Sequence, residues 1–166
     1  MRNSLLYGAI LGSALVVLLT TLFAFAPNSA DQSSIPTLKA YLLKIINQQR
    51  QRISLTLLKQ GEGIAAQNQA NFLLTQTTIT HLDYSRNSPM QRYMLSGERG
   101  YAAENLSLYH CSDDVSCKIA LSTVLEEMTR DQEANLNILN PGITHVSIGI
   151  AVGKGKVALV LDFEKK

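Results

Sequence analysis

In NILNPGITHVSIGIAVGKGKVALVLDF, residues 137–163 of the 166-residue chain, apolar side chains alternate twice. Val146, Ile148, Ile150 and Val152 take every second position, Gly153-Lys154-Gly155 supplies a turn, and Val157, Leu159, Leu161 and Phe163 alternate again. A period of two on either side of a glycine turn predicts a β-hairpin. The intervening positions carry Ala151, Ala158 and Val160, so both faces of the hairpin are covered. Helices packed on both sides of a small antiparallel sheet follow, which is an α+β architecture.

Working outward, the helices come from upstream. Pro36 suits a first helical turn, and Leu38, Tyr41, Leu42, Ile45 and Ile46 repeat at helical spacing to about Arg52. Ala66, Ala70, Leu73, Leu74 and Thr77 predict a second helix over 62–78. Residues 81–100 mix Asp, Asn, Ser, Pro and Gly with Met90, Tyr93, Met94 and Leu95, a long loop carrying a short helix. Tyr101 to Tyr109 reads as a strand, and Val115 to Glu133 as one further helix.

Residues 5–26 contain no charged side chain. At about 1.5 Å rise per residue they span about 33 Å as a helix, enough for a hydrocarbon core and longer than the apolar part of most signal peptides. Ala24-Phe25-Ala26 resembles a cleavage site, but Pro27 follows it directly and fits poorly in an extended protease-bound strand. The expectation is a transmembrane anchor at Leu5–Ala26, with a signal segment and secretion after cleavage as the alternative. Arg2 precedes the segment and Asp31 is the first charge after it, which places residues 1–4 in the cytoplasm and the rest outside. Residues 27–35 read as a polar linker and 36–166 as one domain.

Fifteen basic and 13 acidic residues, scattered, give a net charge of +2 and no basic stripe, so nucleic acid is not an expected partner. No glycine-rich phosphate loop appears, which removes nucleotide chemistry. Cys111 and Cys117, separated by a polar SDDVS step, are expected to close a local disulfide in an oxidising compartment. No serine or cysteine stands in a nucleophile motif, so no catalytic residue is nominated.

Four blocks run in one order along residues 36–166: INQQR at 46–50, Thr80-His81, Ala103-Glu104-Asn105-Leu106, and NILNPGITHVSIGIA at 137–151, closed by Asp162-Phe163. This set resembles the CAP superfamily of cysteine-rich secretory, antigen 5 and pathogenesis-related proteins, in its bacterial or archaeal form. The resemblance implies an α-β-α sandwich with a cleft in which up to two histidines and two glutamates hold a divalent metal such as zinc. His81 matches the first histidine and Glu104 the first glutamate. The second histidine falls seven residues before the proline, where this chain has Ala134, and the second glutamate has Glu127, Asp131 and Glu133 as candidates. No cofactor is expected, with weak zinc binding as the exception, since one histidine and one carboxylate make half a site.

Asn105, Asn140 and Pro141 read as structural motif residues, and the Asn105-Leu106-Ser107 sequon as unmodified. His110 and His145 fall at no ligand position of the family and are left out of the site. The sequence therefore points to a membrane-anchored extracytoplasmic CAP domain that binds a protein, an envelope component or an apolar ligand without enzymatic activity. Two alternatives stand beside it. One is a metal-dependent hydrolase or zinc-binding domain using His81 and Glu104. The other is a structural subunit of a membrane complex, packed through Gly8, Gly12, Ser13 and Ala14.

Overall fold

The computed structural model describes residues 35–112 and 114–166. The expected cytoplasmic tip, anchor and residues 27–34 of the linker lie outside the described residues, and Ile35, assigned to the linker, already opens a helix. Among the described residues no helix is long and apolar enough to cross a membrane.

Among the described residues nine elements follow in order: α1 (Ile35–Arg52), β1 (Lys59–Gln60), α2 (Ile64–Leu73), α3 (Pro89–Leu95), β2 (Tyr101–His110), α4 (Asp114–Arg130), α5 (Gln132–Ile138), β3 (His145–Gly153) and β4 (Lys156–Glu164). The sheet runs β1-β3-β4-β2. Its three long strands are antiparallel as expected, whereas the two-residue β1 adds to β3 in parallel, so the sheet is mixed. The hairpin turns at residues 153–156, with Gly153 opposite Lys156.

Both faces are covered. One face presents Val146, Ile148, Ile150, Val157, Leu159, Leu161 and Phe163 to Leu38, Leu42 and Ile46 of α1 and to Leu121, Leu125 and Ile138 of α4 and α5. The other presents Ala151, Ala158 and Val160 to Ala66, Ala70 and Leu73 of α2. Small residues there let α2 lie close. A Cβ built at Gly149 would come within 2.1 Å of the Ala66 carbonyl oxygen.

Polar side chains fix the connections. Asn47 pairs with the Leu58 backbone in both directions, accepting at 2.7 Å and donating at 2.9 Å. Arg50, fully buried, donates to the carbonyls of Thr56 at 2.8 Å, Ile138 at 2.7 Å and Asn140 at 2.9 Å, which ties α1 to the turn before β3. Asn140 closes that turn by accepting from the Gly142 amide at 2.8 Å.

Two helices depart from the sequence reading. The helix expected over 62–78 ends at Leu73, just before the Thr-rich residues 75–80, where Thr75 bonds back to the Phe72 carbonyl at 2.7 Å. The helix expected over 115–133 breaks at Asp131, whose backbone is extended and whose carboxylate caps α5 through the Ala134 amide at 2.8 Å. Gly149→Ala is expected to push α2 off the sheet and to lower unfolding free energy in urea by about 2–3 kcal/mol. An unchanged midpoint would show that α2 does not depend on this approach.

Candidate functional site

The site grows from edge strand β2. Consecutive residues of a strand face opposite ways. Glu104 pairs across the sheet with Asp162, on the face that α2 covers, while Asn105 points to the other side. There the Asn105 amide donates to the Ala134 carbonyl at 2.9 Å and its oxygen accepts from Asn137 at 2.7 Å. Asn105 is 5 % exposed, so it stitches β2 to α5, and the sequon asparagine is enclosed.

On the opposite face the Glu104 side chain is 1 % exposed and both its oxygens are engaged. Oε1 lies 2.7 Å from His81 Nδ1, and Oε2 forms a close ion pair with Nη2 of Arg92. Arg92 sits on α3, whose start is set by Pro89 and by the reciprocal capping of Ser88 and Gln91. Its Nη1 donates to the His81 carbonyl at 2.5 Å and to the Asn87 carbonyl at 3.5 Å. One guanidinium thus holds the strand carboxylate and both ends of the segment from His81 to Asn87. The His81 ring remains the solvent-facing part, with 58 % of its side chain exposed.

Asp162 stands beneath this pair, 1 % exposed, with Oδ1 buried and lacking a hydrogen-bond partner. Burial, then the charge of Glu104 and a hydrogen bond to it, push the Asp162 carboxyl up to about 9. At neutral pH the carboxyl therefore favours its neutral form beside the Glu104 carboxylate. Next to it Ser147 donates to Glu164, which also lies 2.5 Å from Lys166 Nζ, though without hydrogen-bond alignment. Burial also pushes the Tyr93 and Tyr101 hydroxyls up.

Glu98 extends the arrangement. Its carboxylate accepts from the amides of Gly63 at 2.9 Å, Ile64 at 3.1 Å and Ala65 at 3.0 Å, capping α2 from the loop after α3. Between the two helices opens a cavity of about 200 Å³ whose lining includes Ile64, Asn68, Asp83, Arg92, Leu95 and Ser96. Burial would raise the Asp83 carboxyl, but hydrogen bonds from Asn87 and Ser85 and the charge of Arg92 hold it below the usual range. Ile64, Leu95, Leu82, Tyr84, Met90 and Met94 on these segments are exposed.

The structure brings His81 and Glu104 together and leaves the other ligand candidates apart. Glu127 accepts from the Tyr109 hydroxyl at 3.0 Å, and Tyr109 lies five residues along β2 from Glu104 and on the opposite face of the strand. Asp131 caps α5, and Glu133 is exposed in its first turn. His110 ends β2 opposite Lys156, and His145 contacts Thr144 at 2.9 Å. Among the described residues no group of three or more His, Cys, Asp or Glu could hold a metal ion. There is also no free cysteine among them, while the Cys117 side chain expected in the disulfide lies outside the described residues.

Sequence reading missed Arg92, Asp162 as a buried acid, and Glu98. Only Asp162 carried a signal, as a charge within the alternating run of a strand covered on both faces. The linkage of Asp162 fixes a pH dependence. Its folded pKa lies above the unfolded value of about 3.9, so its contribution is complete below pH 4 and is lost as pH rises toward 9. Urea unfolding between pH 5 and 9 is expected to show Asp162→Asn removing a fall of roughly 1 kcal/mol per pH unit from the wild-type profile. Parallel profiles would sink the assignment of a neutral Asp162.

No family model matches the chain, and no curated protein matches it by sequence. Solved structures do. An outer surface protein from Borrelia burgdorferi superposes with a TM-score of 0.60 at 17% identity, covering 78% of this chain and 93% of that one. An extracellular SCP-domain protein from Bacillus anthracis gives 0.56 at 15% identity over 80% of this chain, which spans only 44% of the Bacillus protein. The CAP domain of Enterococcal PrgA gives 0.55 at 15% identity over 80% of this chain and 63% of that one. At such identities the likeness concerns architecture alone: the described chain has the fold of these SCP- and CAP-domain proteins, with its helices on both faces of a four-stranded sheet.

Proposed function

We propose that this protein is an extracytoplasmic CAP module, held at a membrane through Leu5–Ala26, that acts by binding and not by turnover. The observation that carries the reading is the engagement of Glu104, whose two oxygens are taken by His81 and Arg92 and cannot face a substrate. The adjoining cavity between α2 and α3 is bordered by exposed Ile64 and Leu95 with Asn68 and Ser96 nearby, a mixture suited to an apolar or amphipathic ligand with a few polar groups. A Cys111–Cys117 bridge belongs to the same reading, since it requires an oxidising compartment. The extracellular and outer-surface settings named for the Bacillus and Borrelia proteins support this placement.

One observation favours a second reading. An exposed imidazole whose Nδ1 is fixed by a buried carboxylate has the arrangement of a general base, which would make the chain a hydrolase. A single experiment separates the two. The full chain in detergent is incubated with envelope peptides, glycan fragments and lipids, and both retention and turnover are measured. Binding without turnover, insensitive to His81→Ala, is expected. Turnover abolished by His81→Ala would transfer the function to the hydrolase reading.

A further inference from the structure

The zinc site implied by the family resemblance does not fit these residues, and the way in which it fails is informative. Zinc takes three or four protein ligands at about 2.0–2.2 Å for nitrogen and oxygen. Of the matching donors, His81 Nδ1 is committed to Glu104 Oε1, and Glu104 Oε2 is committed to Arg92. The position of the second histidine is Ala134, which packs against the apolar core and whose carbonyl is bonded to Asn105, on the sheet face opposite Glu104. Only the His81 Nε2 edge is left, and one imidazole is not a zinc site.

We propose that the Arg92 guanidinium is the resident cation of this cleft and takes the electrostatic place of a divalent metal against Glu104. A buried carboxylate requires a positive partner, and the guanidinium is permanently charged, planar and able to bond in several directions at once. Arg92 does so here. It neutralises Glu104, holds the carbonyls of His81 and Asn87, and is itself only 6 % exposed. A metal at Glu104 would have to displace this side chain and leave its charge buried without a counterion. The cleft is thereby assembled without metal, whether it serves binding or turnover.

The test uses thermal unfolding of the full chain in detergent, with calorimetry. The wild-type midpoint is expected to move by less than about 1 °C on adding EDTA or zinc on the order of 100 µM, and zinc binding is expected to give no heat. Micromolar zinc binding would instead raise the midpoint by about 10 °C at hundredfold saturation. Such a rise, or a drop in EDTA, would overturn the proposal on the wild-type protein alone. Arg92→Ala is expected to melt lower and to be restored toward wild type by methylguanidinium but not by ethylammonium. In a cycle with Glu104→Gln, the double variant is expected to lose less than the two single variants added together. Additive losses would overturn the pairing. If Arg92→Ala does not fold, Arg92→Lys supplies the same cycle.

Discussion

Strand β4 is covered on both faces, with eight of its nine residues buried, and the remainder of the molecule is arranged around that constraint. A strand so enclosed can offer no solvent to the ionisable groups it carries, yet β4 carries Asp162 and Glu164, and Glu104 lies directly beside it on β2. Burying an ion is costly unless it is paired or neutralised. The chain uses each solution. Glu104 is paired, Asp162 is held neutral, and Glu164 is approached by Ser147 and Lys166.

These local solutions decide where the loops go. Because the cation for Glu104 comes from α3, the long connection between α2 and α3 must pass back over the sheet edge, and Arg92 fixes it there at His81 and Asn87. Because the first amides of α2 receive their acceptor from Glu98, the start of α2 is likewise set by the loop that follows α3. The cavity between the two helices is a consequence of this pairing. Its polar lining includes Arg92 itself, so the residue that settles the charge of the buried carboxylate also shapes the adjoining recess.

The hairpin was legible because alternation has only one reading when both halves share a period and a glycine turn separates them. The first helix was legible for the same reason, through its spacing. Helix ends were not. Asp131 lies in a run of helix-forming residues, and nothing in its neighbourhood announces that its carboxylate will turn back to the Ala134 amide and start α5. The two-residue β1 has no period at all and exists through pairing with His145 and Val146, far away in sequence. At the site, His81 and Glu104 were found because they stood in recognisable blocks. Arg92 was not, since a surface-looking arginine in a polar loop becomes a buried counterion only after β2 has been placed beside α3.

The motif residues divide into two groups with different physical duties. Asn47, Arg50, Asn105 and Asn140 bond to backbone amides and carbonyls, and those contacts depend on where the chain runs, not on what the protein acts upon. Replacing one leaves a buried backbone group without a partner, so such residues are costly to change in any protein of this architecture. A ligand residue in an open cleft carries no comparable penalty, provided the charge it served is settled otherwise. At Ala134, where the resemblance expects a histidine, the α5 backbone is held by Asn105, and on the other face of the sheet the Glu104 carboxylate is met from α3. A chain can therefore carry the blocks that build the fold without the donors of a metal site, and those blocks by themselves give no licence for metal chemistry.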